Sequence, residues 1–450
     1  MTISVGIRRW ACLGLLVTMM MSCGGGTGGT GSPVVASGTV AGFGSVVVNG
    51  ITFDTSGAAI MVNGQNGSEA DLSLGQVVTV QGTLDANGAT GTAATVVFEN
   101  SAEGPIDSLT PATRSLVVLG QIVVVDEATQ FGDASFSDLT IGNIVALSGF
   151  VDANGVLRAT RVDRTQDAFL PGTEIETRGT IANLNEATQT FTLNRLTIDF
   201  SAAQLVNVPE SELRNGQVVE VASRQNVMAG VLVADRVEAR EVGIQGAVGE
   251  KAEIEGIVFS ATAAGVVVVN GQPVRLTPDT IFEGGTVDDI TVNARVEVEG
   301  TFGEDGILVV EEVEFIEAGQ IELEGQISRV LSADTFEVSG QRVRYTPDTV
   351  LSMGTAADLV VGTQLQIEGF FDAAGVLVAT EIEFFVDIEG LITRVSSADS
   401  FEVDGQPVRI TPDTVFEDGT AADIAVAVRV EVEGRYDASG VLVALAISFL

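Results

Sequence analysis

The 450-residue chain carries 61 acidic residues against 22 basic ones, a formal charge of −39, and has no histidine. That balance excludes a nucleic-acid partner, because phosphates are gripped by clustered Lys and Arg. The missing histidine excludes Ser-His-Asp triads, Cys-His pairs, histidine zinc sites and two-histidine iron sites.

At the start of the chain, Arg8 and Arg9 precede an apolar stretch from Trp10 to Met21, then Ser22-Cys23 and a run of glycines. This is the layout of an export signal, and the stretch is shorter than the roughly 20 residues a membrane-spanning helix needs. Met20-Met21-Ser22-Cys23 resembles a lipobox, in which a small residue precedes the cysteine that is acylated, although Met20 replaces the usual leucine. Residues 1–22 are therefore expected to be a lipoprotein signal peptide, Cys23 the lipidated residue, and 23–33 a Gly-rich tether. The several acyl chains that the resemblance implies anchor stably, where a single chain holds weakly. Gly24, in place of an aspartate, points to the outer membrane. Cys12 leaves with the signal, so no intrachain disulfide is available to the folded body, which must rest on its own core.

The rest of the chain repeats itself with a period of about 65 to 77 residues. Six copies are read: 34–100, 101–170, 171–243, 244–317, 318–385 and 386–450. The last three are clearest, opening at Glu253-Ile254-Glu255-Gly256, Glu322-Leu323-Glu324-Gly325 and Asp387-Ile388-Glu389-Gly390. Each continues through a turn (Asn270-Gly271, Ser339-Gly340, Asp404-Gly405), then a Thr-Pro-Asp-Thr, then a strand ending in Glu-Gly. The three earlier copies open at Gly38, Gly104 and Gly179, and the third, with Arg195 in its turn, is the most divergent.

An acid, an aliphatic residue, two spacers and usually Gly recur in every copy, from Asp71-Leu72 to Asp423-Ile424. This predicts one helical turn with the acid near its N-terminus, ended at positive φ by Gly or Asn. Ala427 interrupts the pattern, so the sixth copy is expected to close the turn differently. The following strand alternates, Val296 and Val298 against Arg295, Glu297 and Glu299, which predicts a half-buried antiparallel strand. Asp-x-x-Gly hairpins beginning at Asp85, Asp152, Asp372 and Asp437 lead into the return strand.

Five strands with one helical turn between the third and fourth predict an all-β chain: a tandem array of six small OB-like five-stranded barrels. Each barrel carries one short helical turn, and neighbours are expected to touch like beads. At this point the residues resemble the bacterial envelope repeats known as domain of unknown function 5666, often found in lipoproteins. The hallmarks are the opening Gly, the Asn-Gly turn, the Thr before Ile281-Phe282 or Val415-Phe416, the Val-Glu-Val-Glu-Gly strand and the Gly-Val-Leu-Val-Ala return. The resemblance spans nearly all of the chain after the tether, and implies a shape and an address without a reaction.

Few residues offer chemistry. The pairs Glu297/Glu299 and Glu431/Glu433 have the spacing of a glycosidase acid and base, but they recur at equivalent positions and read as a solvated face. The hairpin acids Asp85, Asp152, Asp305, Asp372 and Asp437 are the candidates for calcium, the only metal the composition favours, although turn geometry alone accounts for Asp and Gly there. Lys251, the only lysine, has no serine at Ser-x-x-Lys spacing and reads as a linker charge. Arg275, Arg344 and Arg409 are expected to pair across strands with glutamates. Low aromatic content weakens sugar stacking.

The expectation is a non-enzymatic, membrane-anchored envelope lipoprotein, exported and held through its N-terminal lipid, with no cofactor. Its repeats would bind or space, and its partner would be an envelope protein or glycan. A calcium-stabilised surface adhesion rod is the alternative, against which chelator-insensitive stability would count. A carboxylate-only hydrolase comes last.

Overall fold

The computed structural model describes residues 31–450 apart from 44, 86–87, 210–211, 262–264, 318–319, 353, 373–374, 398, 412–413, 418, 437–440 and 450. Among these the protein is all-β, and every helical element is a single 3₁₀ turn. No helix among them is long and apolar enough to cross a membrane.

Repeat 1 sets the plan. Its strands are β1 (Ser32–Gly42), β2 (Val46–Val48), β3 (Ile51–Asp54), β4 (Ala59–Val62), β5 (Gln65–Gly67), β6 (Val77–Leu84) and β7 (Thr90–Phe98), with the 3₁₀ turn Glu69–Asp71 before β6. β1 pairs antiparallel with β2 and with β6, β2 with β3, and β6 with β7; β3 and β4 both run parallel to β7. The ladder thus closes through β1, β2, β3, β7, β6 and back to β1, which leaves little unpaired edge. The other repeats use the same pairings; in repeat 4 the ring is Lys251–Ala261, Val266–Val269, Gln272–Arg275, Leu308–Phe315 and Arg295–Phe302. Alternation works as expected: Val296 and Val298 are fully buried, and Glu297 and Glu299 are only half-buried.

Where five strands are expected, the third is broken in two, as in Gln272–Arg275 and Ile281–Glu283 of repeat 4, and both pieces pair with the return strand. The break is the Thr-Pro-Asp-Thr segment, whose proline has no N–H to give a ladder. The last threonine repairs it: Thr280, Thr349 and Thr414 each donate Oγ1 to the return-strand carbonyl of Val310, Ala379 and Ala444, at 2.9, 2.6 and 2.7 Å.

The helical turn differs from expectation in one respect. The acid stands at the end of the 3₁₀ turn and reaches back to its start: Asp71, Asp138, Asp289, Asp358 and Asp423 accept the backbone N–H of Ser68, Ser135, Thr286, Thr355 and Thr420. This is a capping box. Four residues beyond the acid the chain turns back at positive φ in all six repeats, and there Ala427 adopts φ 71° like Gly75, Gly142, Gly216, Asn293 and Gly362. The sixth repeat therefore closes its turn in the same way as the others, because the Ala427 N–H still donates to Ile392 O, 2.8 Å away, as Gly362 does to Ile327.

The repeats do not follow one another as beads. The opening strands of repeats 1 and 4 pair in parallel, Val34 to Ser37 against Lys251 to Ile254, and Gly42 bridges to Glu324 of repeat 5. Repeats 2 and 3 join antiparallel, Glu103 opposite Glu176 and Ala102 opposite Thr177, and share one continuous hydrophobic core. Repeats 5 and 6 are joined by a single 21-residue strand, Leu377–Ser397.

Candidate functional site

Cys23 and Asp437 lie outside the described residues. The other hairpin acids are held within their own repeats. Asp152 is fully buried and accepts Arg158 Nε at 3.0 Å and Nη2 at 2.8 Å, with the backbone N–H groups of Asn154 and Val156 at 2.9 and 3.0 Å. Asp305 accepts Arg275 Nη2 at 2.5 Å, and Asp372 accepts Arg344 Nη2 at 2.9 Å. Asp85 accepts the Thr90 hydroxyl at 2.7 Å. Arg275 and Arg344 therefore clasp the hairpin aspartate of their own repeat, not the glutamates expected, because the parallel pairing of the third and return strands sets that hairpin beside them. The hydrogen bond from the Arg275 side chain holds the Asp305 carboxyl below its usual range. Among the described residues no group of three acidic or sulfur ligands forms a metal cage.

The outer face of repeat 4 is less solvated than the alternation implies. Glu253, Glu299 and Glu312 stand opposite one another on three adjacent strands, and Glu253 is buried where repeat 1 pairs with repeat 4. Burial, with Glu283 and Glu299 adding repulsion, pushes Glu312 up to about 7. Lys251, read as a linker charge, is the first residue of the opening strand and gives Glu299 an ion pair at 3.0 Å.

One cavity is walled by several repeats together. A cavity of about 530 Å³ lies where repeats 1, 2, 4 and 5 meet. Its walls include Thr39 of repeat 1, Phe150, Arg158 and Thr160 of repeat 2, Glu255 and Arg295 of repeat 4, and Glu322, Glu368 and Phe371 of repeat 5. Glu255 accepts the Thr39 N–H at 2.7 Å and Arg295 Nε at 3.0 Å, and the Arg295 guanidinium lies 6.0 Å from the centre of the Phe150 ring. Asn293 Oδ1 accepts the Ala153 N–H at 3.1 Å, and Arg161 Nη1 donates to Leu74 O at 2.9 Å, so three repeats are tied around the opening.

The model of a domain of unknown function, DUF5666, matches residues 34–96, 103–163, 178–238, 255–314, 324–383 and 389–448. The chain belongs to the DUF5666 family. A comparison with curated proteins finds no relative.

Two hallmarks of the DUF5666 repeat are one contact seen from two sides. A Cβ on the opening glycine would lie 1.8 Å from Asn49 in repeat 1, 2.5 Å from Asn270 in repeat 4 and 2.4 Å from Asp404 in repeat 6. Those residues begin the first hairpin turn at positive φ, 54°, 46° and 45°. The opening glycine thus makes room for the turn that follows it. Sequence reasoning missed the cavity because its walls come from repeats far apart in the chain. One residue that bears on it is Thr160, a buried polar residue at the bulge of the return strand.

Proposed function

We propose that this DUF5666 protein is a non-enzymatic envelope lipoprotein, held to a membrane by an acylated Cys23. Its six repeats, each an OB-like barrel, form a rigid scaffold that spaces or presents binding surfaces to an envelope protein or glycan. The observation that carries the reading is the joining of repeats through shared strands: a parallel ladder between repeats 1 and 4, an antiparallel one between 2 and 3, and one unbroken strand from 5 to 6. A flexible string of independent domains needs none of these. Stiffness is what a spacer or a presenting surface requires, and the acidic exterior keeps such a surface soluble. The closed five-stranded ring, with its third and last strands parallel, supports the OB-like assignment. The hairpin aspartates Asp85, Asp152, Asp305 and Asp372, each engaged by a side chain of its own repeat, support a structural role for these acids.

Palmitate labelling of cells making the intact chain or Cys23→Ser, followed by membrane fractionation, tests the anchor. The native chain is expected to carry label and sediment with membranes, and the variant to lose both. A variant that still sediments would overturn the lipid anchor. Hydrolysis by the purified protein that one carboxylate substitution abolishes would overturn the non-enzymatic role.

A further inference from the structure

In five of the six repeats, another repeat meets the outer edge of the opening strand. Repeats 1 and 4 pair there in parallel, repeats 2 and 3 antiparallel, and Gly42 of repeat 1 bridges to Glu324 of repeat 5. In repeat 6 the opening strand is the second half of Leu377–Ser397. Its inner edge pairs with Arg429–Tyr436 from Val386 to Leu391, and its first hairpin covers the outer edge only from Ile392 onward. Among the described residues no strand pairs with the outer edge from Val386 to Gly390. Ile392 gives its N–H to Val428 O and accepts that of Ala427, while Leu391 O accepts the Asp404 N–H on the opposite side. Successive residues of an antiparallel strand turn their N–H and C=O to alternate sides. Gly390, Ile388 and Val386 therefore turn theirs towards Arg429–Tyr436, and Glu389 and Asp387 turn theirs outward, a template for one more strand.

A side chain reports the same difference. Two positions before the opening glycine, Ala36, Ala102, Thr177, Ile254 and Leu323 are 0 to 2 % exposed, whereas Ile388, at the equivalent place, is only half-buried against the repeat-6 core. The seam between repeats 2 and 3 shows what fits such an edge. Glu103, one before its opening glycine, faces Glu176, three before its own, and Ala102 and Thr177, each two before, face one another. The Arg178 N–H continues the ladder to Ser101 O. That register is symmetric about the Ala102–Thr177 pair, so a local twofold axis relates the two opening strands. A true twofold gives the same register to two identical chains. Glu103 opposite Glu176 shows that carboxylates at these positions do not bar the pairing. We propose that the chain forms a twofold dimer through repeat 6. Ile388 lies opposite Ile388 of the second copy on the axis, and the outward backbone groups of Asp387 and Glu389 pair with those of Glu389 and Asp387 of that copy. The dimer does not depend on the lipid anchor.

Sedimentation equilibrium of the intact chain in density-matched detergent tests the proposal. A short ladder belongs with the weaker interfaces, so monomer is expected to give way to dimer between about 1 and about 100 μM. Glu389→Pro removes one outward N–H and leaves the ladder to Arg429–Tyr436 in place, and should weaken the dimer at least about tenfold. Ile388→Cys tests the register without disturbing the backbone. A pair on the axis whose own N–H and C=O turn away from the partner strand has Cα atoms about 4.5 Å apart, within disulfide reach. Mild oxidation of the intact chain should therefore link two copies through Ile388→Cys. Met228→Cys, at a 77 % exposed position of repeat 3, should stay at the background of the unsubstituted chain. A chain that remains monomeric throughout, or a dimer in which Ile388→Cys links no faster than Met228→Cys, would overturn the proposal. So would an Ile388→Cys disulfide formed in the intact envelope with a different protein in place of the second copy.

Discussion

At the scale of single residues, one position separates sequence pattern from conformation. Ala427 occupies the left-handed turn that the other repeats give to Gly or Asn, at φ 71°, and there it makes the same hydrogen bond. A non-glycine residue in that region costs about 1 kcal/mol through the contact of Cβ with the carbonyl that follows it. The backbone bond and the packing of Ile424 and Val428 around the repeat-6 core hold it in place. Ala427→Gly is therefore expected to stabilise the protein by about 1 kcal/mol, read as a higher midpoint in urea unfolding. Gly362→Ala, at an equivalent turn with open space around it, should cost about the same amount; if both substitutions are neutral, strain at this turn is not what the glycine pattern records. The contrast also marks what the chain discloses locally. Asp71 and its equivalents announced a turn because capping chemistry lies within four residues. Their place at its end, not its beginning, depends on Ser68 or Thr286 standing three positions earlier, which the search for an acid alone overlooked. Arg275 was misassigned for a different reason: its true partner, Asp305, is 30 residues away and meets it only through parallel pairing.

Among the elements, the Glu-Gly strand shows how tightly each ring is drawn. A Cβ at Gly300 would lie 2.2 Å from Val309 O on the return strand, and one at Gly82, Gly149, Gly369 or Gly434 would lie 2.1 to 2.4 Å from the equivalent carbonyl of Thr92, Arg158, Val378 or Val443. The strands bulge there, and only hydrogen fits between them. Repeat 3 lacks the glycine and proves the point by its exception. Ser223 stands in that position, its hydroxyl donates to Val233 O at 2.7 Å, and the return strand breaks into Val231–Val233 and Arg236–Ala239. The divergence of the third copy is thus a local rearrangement around one side chain. Gly300→Ala has no hydroxyl with which to make that bond, so it should push the strands apart and cost about 3 kcal/mol, the upper end for overpacking a well-fitted site. Thermal unfolding would measure it, and a loss below about 0.5 kcal/mol would mean that the bulge widens freely.

On the scale of the whole molecule, charge decides more than the alternation of strands suggested. The strand pattern made the barrels readable because a period of two reports one repeat's inside and outside. It carried no record of which outsides meet, since Glu253 and its counterpart Glu322 look alike in sequence, while Glu253 is buried under a neighbouring repeat and Glu322 is half-buried. Carboxylates at those seams are held in an unfavourable place. At the junction of repeats 2 and 3, burial above all, then repulsion from Glu220 and Glu103, pushes Glu176 up to about 7 from 4.5. Burial also raises Glu253 between repeats 1 and 4, with Glu299 adding to it. A carboxyl whose folded value lies above its unfolded one binds more protons in the native state. Its stabilising contribution is therefore complete below about pH 4.5 and is lost as pH rises towards 7. Arg236, paired with Glu220 and Glu238, softens but does not remove the effect, because Glu176 remains raised with Arg236 acting on it. Stability in urea should accordingly fall by about 2 kcal/mol between those pH values on account of Glu176. Glu176→Gln, which carries no charge to bury, should flatten that slope and stabilise the protein above pH 7. An unchanged slope in the variant would place the titration elsewhere and show that the seam between repeats 2 and 3 admits water freely. If the slope flattens, the junctions between repeats, not the barrels, set how this acidic scaffold answers to the pH around it.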